Sequence, residues 1–112
     1  MTASTRRPQA KFARIWRGRT THEKADAYEK YWLAHGIDGL LKKGALHVEM
    51  LRDDYGEFSE FVTISYWGSV EAMGAEPGSD PRAVHHLPRD PEFLTEVPDQ
   101  VQIFRLLEQR SR

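Results

Sequence analysis

The sequence predicts an α+β fold in which a four-stranded antiparallel sheet carries helices on one of its faces. Two observations support this prediction: four stretches have the residue pattern of strands, and helical patterns follow the first and the third of them. The 112 residues suit one domain, which we assign to residues 11–110, behind a flexible tail over residues 1–10.

The spacing of apolar residues changes from the alternation of a strand to the spacing of a helix between the first two elements. Residues 11–18 alternate as a strand. Thr20 and Glu23 match a capping box, in which a hydroxyl and a carboxylate satisfy the first N–H groups of a helix. Gly36 and Gly39 are expected to break that helix, because glycine is unfavourable inside helices.

The rest of the chain predicts a hairpin, a broken helix and a last strand. Residues 45–52 and 60–67 alternate on either side of the turn-rich stretch "DDYGEF". Ser69 is placed to cap a second helix, which glycine and proline residues interrupt. Residues 101–108, "VQIFRLLE", predict the final strand.

This element order predicts the ferredoxin-like βαββαβ sandwich. Its helices cover only one face of the sheet, and the other face carries Val62, Ile64 and Tyr66. An apolar face of this kind would be wet in a monomer. We therefore expect a homodimer in which two sheets pack face to face as a dimeric α+β barrel.

Composition excludes several classes of protein. The net charge of −1 gives no basis for binding nucleic acid or an anionic membrane. No apolar run approaches the roughly 20 residues of a membrane span. The absence of cysteine excludes thiolate chemistry and fits the reducing cytoplasm, where we expect the protein. No metal site is expected, because adjacent histidines such as His85 and His86 diverge by about 100° on a helix.

Three stretches of the sequence resemble the antibiotic biosynthesis monooxygenase family. They are "FARIWRGRTTHEKADAYEKYW", "EFVTISYWGSVEAM" and "AVHHLPRDPEFL". The resemblance implies a dimeric α+β barrel with a small pocket between the sheet and the helices of each protomer. It also implies one of two chemistries: oxidation of aromatic phenols without a bound cofactor, or the binding and degradation of haem.

The resemblance assigns catalytic roles to residues on the third strand and in the region after it. Trp67 matches a tryptophan of the family and would provide a stacking wall for an aromatic substrate. The sequence contains no asparagine, and Thr63 stands where the phenol-oxidising branch has one. Arg82 or Arg89 would stabilise developing charge.

The paired histidines have three interpretations. His85 or His86 would act as a general base toward a phenol, or as the axial ligand in a haem-binding protein. In the third interpretation one of them hydrogen-bonds at the edge of the pocket and the other is solvated.

A set of polar and aromatic residues is predicted to contact the substrate. Thr63 and Ser65 share a strand face with Trp67, and hydroxyls on a covered face need partners. Arg14 lies on the face of the first strand that carries Trp16, where it needs an anion. The simpler alternative, which we slightly prefer, is an exposed edge or a salt bridge to Glu60. The full set is Thr63, Ser65, Trp16, Arg14, Tyr28, Trp32 and Phe93.

The leading functional hypothesis is a cofactor-independent monooxygenase acting on a small aromatic molecule. Haem binding or haem degradation on the same fold is the second hypothesis. A non-catalytic dimeric module that binds a small apolar molecule is the third. Colour of the purified protein, oxygen uptake with a phenol, and stabilisation by a ligand without turnover distinguish the three.

Overall fold

A computed structural model of the protein describes residues 9–74, 79–84 and 86–112. Most of the predicted tail over residues 1–10 and the predicted site residue His85 lie outside the described residues.

The described part of the chain forms a four-stranded sheet with one long helix. In chain order the elements are β1 (Phe12–Thr21), α1 (His22–Lys43), β2 (His47–Tyr55), β3 (Phe58–Trp67), a 3-10 turn (Glu71–Met73), the single-turn α2 (Asp90–Phe93) and β4 (Gln102–Arg105). The strands lie in the order β2-β3-β1-β4 and every neighbouring pair is antiparallel. The predicted α+β ferredoxin-like class is confirmed.

The predicted start of the first helix is wrong by one residue and in its cap. Thr21, not Thr20, is the N-cap residue, and no side chain caps the helix. The side chain of Thr20 is fully buried on the covered face of β1, and its hydroxyl donates to the Thr21 carbonyl at 2.8 Å. Because β1 continues through Thr21, Thr20 still belongs to the strand and cannot face the helix end.

The predicted break at Gly36 and Gly39 is also wrong. α1 runs unbroken to Lys43 and ends at Gly44, whose φ of +119° is in the region that favours glycine. A Cβ atom on Gly36 would lie 2.5 to 2.9 Å from ring atoms of Trp32. The missing side chain therefore lets the indole lie against the helix backbone, and this packing overrides the low helix propensity of glycine.

The second helical region is much shorter than predicted. A single 3-10 turn follows Ser69, whose hydroxyl does accept a hydrogen bond from the Ala72 amide at 3.3 Å. Pro88 and Pro91 lie next to or inside α2, and each removes an amide donor and restricts the preceding residue. These prolines explain why α2 is limited to one turn.

The last strand covers four residues rather than the predicted 101–108. Arg105 pairs with Phe12, the first residue of β1, and Leu106 donates one further hydrogen bond to Lys11. Beyond this point β4 has no partner strand. The rest of the β1 edge is covered by the segment after α2, where Leu94 pairs with Thr20 as an isolated bridge.

The amide of Thr95, which directly follows Leu94, also donates to the Arg19 carbonyl at 2.9 Å. The edge of β1 is therefore shared between β4 at one end and Leu94 with Thr95 at the other.

The two faces of the sheet differ as the alternation predicts. Side chains on the face under α1 are mostly buried, and they include Arg14 and Trp16 of β1 and Phe61 of β3. The opposite face carries half-buried Ile15 and Ile64 at its centre. Around them lie the exposed apolar side chains of this open face, Leu51, Tyr55 and Phe104.

The core lies between α1 and the covered face, in two clusters. The larger cluster is aromatic and is centred on Tyr28, which contacts Phe61 edge-to-face with ring centroids 5.1 Å apart. The smaller cluster contains Ala45, Trp67 and Met73. Among the residues that the structure describes, no helix combines the length and the apolar character that a membrane span requires.

Candidate active site

A cavity of about 60 Å³ lies between the sheet and α1, beside the larger core cluster. Its floor is formed by side chains of β1 and β3, and its roof by Trp32 and Gly36 of α1. The segments before α2 close one end with Val84 and Leu87, and Asp90 lies at the start of α2. The predicted substrate-contacting residues that line this cavity are Arg14, Trp16, Trp32, Thr63 and Ser65.

Arg14 places a buried positive charge in the cavity wall. The residue is 7% exposed, and its Nη2 atom donates to the Ala83 carbonyl at 3.1 Å. Its Nε atom is buried and has no hydrogen-bond partner. Burial lowers the pKa of Arg14, because the charged form loses its hydration. The salt bridge to Glu60 is absent: Glu60 pairs with Arg19 in the strand register, on the open face of the sheet.

Thr63 contributes a second buried polar atom without a partner. The residue is 3% exposed, and no hydrogen bond satisfies its Oγ1 atom. Ser65 differs, because its hydroxyl accepts a hydrogen bond from Trp67 Nε1 at 2.9 Å and donates to the Arg14 carbonyl at 3.5 Å. Ser65 is opposite Arg14 across β1 and β3, and Thr63 is opposite Trp16. The two unpartnered groups therefore lie on diagonal positions of adjacent strands.

The structure places Trp67 outside the cavity. Trp67 is fully buried in the smaller core cluster, and its indole N–H group donates a hydrogen bond to the Ser65 hydroxyl. The tryptophans that line the cavity are instead Trp16 and Trp32. Trp67 is linked to the cavity wall through the hydroxyl of Ser65, and Leu40, which also lines the cavity, packs against the same smaller cluster.

Tyr28 and Phe93 lie behind the cavity rather than in its wall. Both belong to the larger core cluster, and their ring centroids are 5.5 Å apart. The Tyr28 hydroxyl donates to Asp90 Oδ1 at 3.2 Å, and burial raises the pKa of Tyr28. These two residues support the site and do not contact the cavity.

The predicted charge stabilisers, Arg82 and Arg89, and the predicted base His86 also lie outside the cavity. Arg82 is exposed. Arg89 is exposed as well, pairs with Glu92 at 3.1 Å and lies over the Tyr31 ring. The side chain of His86 is 32% exposed, and its Nδ1 atom is 3.9 Å from Asp90 Oδ2. None of the three residues lines the cavity.

Asp90 is a cavity residue that the sequence analysis missed. It is 3% exposed, and its Oδ2 atom accepts a hydrogen bond from the Leu87 amide at 3.0 Å. Burial raises its pKa, against the opposing effect of its hydrogen bonds. In the sequence Asp90 precedes Pro91 and looks like an ordinary helix-start residue. The only available signal was its spacing of four residues from His86.

The described residues do not match the requirements of a metal ion or of haem. No group of three His, Asp or Glu side chains among them is arranged to hold a metal ion. Pockets for molecules of drug size measure roughly 300–1,000 Å³. The cavity of about 60 Å³ is far smaller, and His86 lies outside it. Haem therefore does not fit this cavity.

Comparison with solved structures identifies a protein of the same fold. A crystal structure from Bacillus cereus, provisionally described as an antibiotic biosynthesis monooxygenase, superposes with a TM-score of 0.62. The match covers 93% of this chain and 100% of that chain, at 13% sequence identity. The two proteins share one fold. The family resemblance seen in the sequence is confirmed at the level of fold.

Sequence comparisons add no closer relationship. No protein-family model matches the chain, and the curated protein sequences contain no match to it.

Proposed function

We propose that this protein is a cofactor-independent monooxygenase that acts on a small aromatic substrate in the cavity under α1. One observation carries the proposal: a cavity lined by Trp16 and Trp32 contains the buried guanidinium of Arg14, whose Nε atom has no hydrogen-bond partner. A buried charge of this kind is costly unless something pairs with it. An anionic oxygen of the substrate would supply that partner.

The proposed reaction needs no reductant besides the substrate. A phenol with a free para position and O₂ give a quinone and water, so the ring supplies all four electrons that O₂ accepts. One oxygen atom becomes the new carbonyl oxygen, and the other leaves as water. The protein would exclude solvent and stabilise negative charge through Arg14. Asp90 is the candidate proton acceptor, because it lines the cavity and burial raises its pKa.

Oxygen uptake with a panel of single-ring phenols tests this proposal. We expect Arg14→Gln to lower the rate at least 100-fold, a loss of roughly 2.7 kcal/mol or more of transition-state stabilisation. Arg110→Gln is the matched control, because its guanidinium is 85% exposed and distant in sequence from the site. The product should retain one atom of ¹⁸O₂.

Three results would contradict the proposal. Full activity of the Arg14 variant would remove the group on which it rests. A saturable shift in haem absorbance at one haem per protomer would favour haem chemistry if His86→Ala abolishes it. Stabilisation by phenols without any oxygen uptake would favour a non-catalytic binding module.

We further propose that the open face of the sheet is the interface of a homodimer. Its exposed apolar residues lie around Ile15 and Ile64, and no other described element covers this face. Burying such a surface in a second copy removes apolar area from water. The shared fold and the family resemblance support this arrangement.

Two leucines of similar exposure test the dimer. Leu51 is 48% exposed on the open face, and Leu33 is 50% exposed on α1. We expect Leu51→Lys to raise the dimer dissociation constant at least tenfold in sedimentation equilibrium, because a lysine would be buried at the interface. Leu33→Lys should leave it unchanged. The proposed dimer would be contradicted if the wild-type protein is monomeric at about 100 µM.

A further inference from the structure

We propose that the cavity binds the carboxylate of a single-ring aromatic acid, with Arg14 Nε and Thr63 Oγ1 as its two donors. As a statement about the substrate, this inference rests on the proposed function. As a statement about binding, it stands on the geometry and charge of the cavity alone.

The two donors match a carboxylate in number and position. Arg14 Nε and Thr63 Oγ1 are the buried side-chain polar atoms that have no hydrogen-bond partner in the described part of the chain. Both residues line the same cavity, from diagonal positions of β1 and β3. Buried polar groups in folded proteins are nearly always hydrogen-bonded, and these two donors in one cavity have no protein partner, so both are free to bind the same ligand.

The local charge favours an anion. No described carboxylate forms an ion pair with Arg14, and the nearby Lys43 increases the positive charge around it. The pKa of Lys43 is lowered by burial and, in second place, by the charge of Arg14. Asp90 lines the cavity as well, but its oxygens accept hydrogen bonds from Leu87 and Tyr28.

A carboxylate suits this site better than a phenol hydroxyl. Near pH 7 a carboxylic acid is ionised, since side-chain carboxyls have pKa values of about 4, whereas a phenol with a pKa of about 10 is neutral. Only the carboxylate brings a full negative charge to Arg14. In a hydroxybenzoate the carboxylate would anchor the ring, and the phenol group would remain free to face Asp90.

The size and walls of the cavity select one aromatic ring. At roughly 10–15 Å³ of such volume per water, the cavity of about 60 Å³ has room for roughly four to six waters. This volume is smaller than the roughly 150 Å³ of an apolar cavity that binds benzene, so one ring is the largest aromatic group that the site could accept. Trp16 and Trp32 provide flat walls, and Leu40 and Val84 provide aliphatic ones. A fused three-ring system would not enter without rearrangement.

Equilibrium binding of benzoate tests the inference without any need for turnover. Calorimetry and tryptophan fluorescence should show one benzoate per protomer. Benzamide has the same shape without the charge and should bind at least tenfold more weakly. Anthracene-9-carboxylate should not bind, because its three rings exceed the cavity.

Two variants and their controls assign the donors. Arg14→Gln and Thr63→Val should each weaken benzoate binding at least tenfold, and Thr63→Val should also raise the thermal midpoint of the free protein by removing an unpaired hydroxyl. Arg110→Gln and Thr95→Val change exposed residues and should leave benzoate binding unchanged. If Arg14→Gln fails to fold, Thr63→Val and the comparison of benzoate with benzamide still decide.

The outcomes separate this inference from the proposed function. Absence of benzoate binding, equal binding of benzamide, or unchanged affinity in both variants would overturn the inference. Benzoate binding together with no oxygen uptake on any hydroxybenzoate would support the inference and count against the monooxygenase. Oxygen uptake on phenols that lack a carboxylate, without benzoate binding, would do the reverse.

Discussion

Asp90→Ala is expected to lower the free energy of unfolding by about 2–4 kcal/mol, because it leaves one buried and one partly buried donor without an acceptor. The Tyr28 hydroxyl and the Leu87 amide both donate to the Asp90 carboxyl group. Tyr28 is fully buried at the centre of the larger core cluster, so water cannot replace the lost acceptor. Urea denaturation of both proteins measures the difference.

Asp90→Asn is expected to show a pH-dependent difference from the wild type. Because burial raises the pKa of Asp90 above its ordinary value of 3.8, the folded protein holds this proton more tightly than the unfolded chain does. The resulting stabilisation is complete below pH 3.8 and is lost as the pH rises through the raised folded-state pKa. The asparagine is neutral throughout. The stability of the wild type relative to the variant should therefore fall as the pH rises through this window.

An exposed acid provides the control for both Asp90 variants. Asp38 lies on the exposed side of α1, and Asp38→Asn should change stability by less than about 0.5 kcal/mol. A loss below about 1 kcal/mol for Asp90→Ala would mean that its two partners find other acceptors. Wild-type stability that rises relative to Asp90→Asn over the same pH window would contradict the assigned sign.

Gly36→Ala is expected to lower the free energy of unfolding by roughly 1–2 kcal/mol, although alanine is the better helix former. The new Cβ atom would lie 2.5 Å from Cε2 and 2.6 Å from Cδ2 of Trp32. These atoms are in the middle of the indole, so the whole ring must move. Trp32 also lines the cavity, and its displacement should weaken benzoate binding.

Gly39→Ala is the matched control in the same helix. A Cβ atom on Gly39 would meet nothing within 4 Å, so only the helix propensity changes. We expect it to raise the free energy of unfolding by up to about 1 kcal/mol. If Gly36→Ala also stabilises the protein, Trp32 is not held against the helix backbone as the structure shows. Urea denaturation and benzoate titration of the two variants are sufficient for this comparison.

The sequence predicted the covered face of the sheet because a strand has a period of two. Once β1 and β3 are assigned, Arg14 and Trp16 must share one face, and so must Thr63 and Ser65. Trp32 follows from helical spacing in the same way. These residues are the ones that the structure brings together in the cavity wall.

The period of a strand does not determine how far along the sheet a cavity lies. Trp67 has the same facing as Thr63 but lies at the end of β3, in the smaller core cluster. Family resemblance placed Trp67 in the site. In the structure, Trp67 lies two residues beyond the cavity-lining Ser65 on β3 and packs in the smaller core cluster. Local pattern gives the direction of a side chain, and only packing gives its neighbours.

The sequence by itself determined the fold class, the order of strands and helix, and the face on which each periodic residue lies. Tertiary structure alone decided the path of the chain after β3, where proline and glycine leave little periodicity to interpret. It brought Asp90 into the cavity and left Arg82 and Arg89 at the surface. It also allowed α1 to continue through Gly36, because an indole from the preceding turn occupies the space of the missing side chain. Each of these outcomes depends on contacts between residues distant in the chain or stacked across helical turns, and propensity does not encode them.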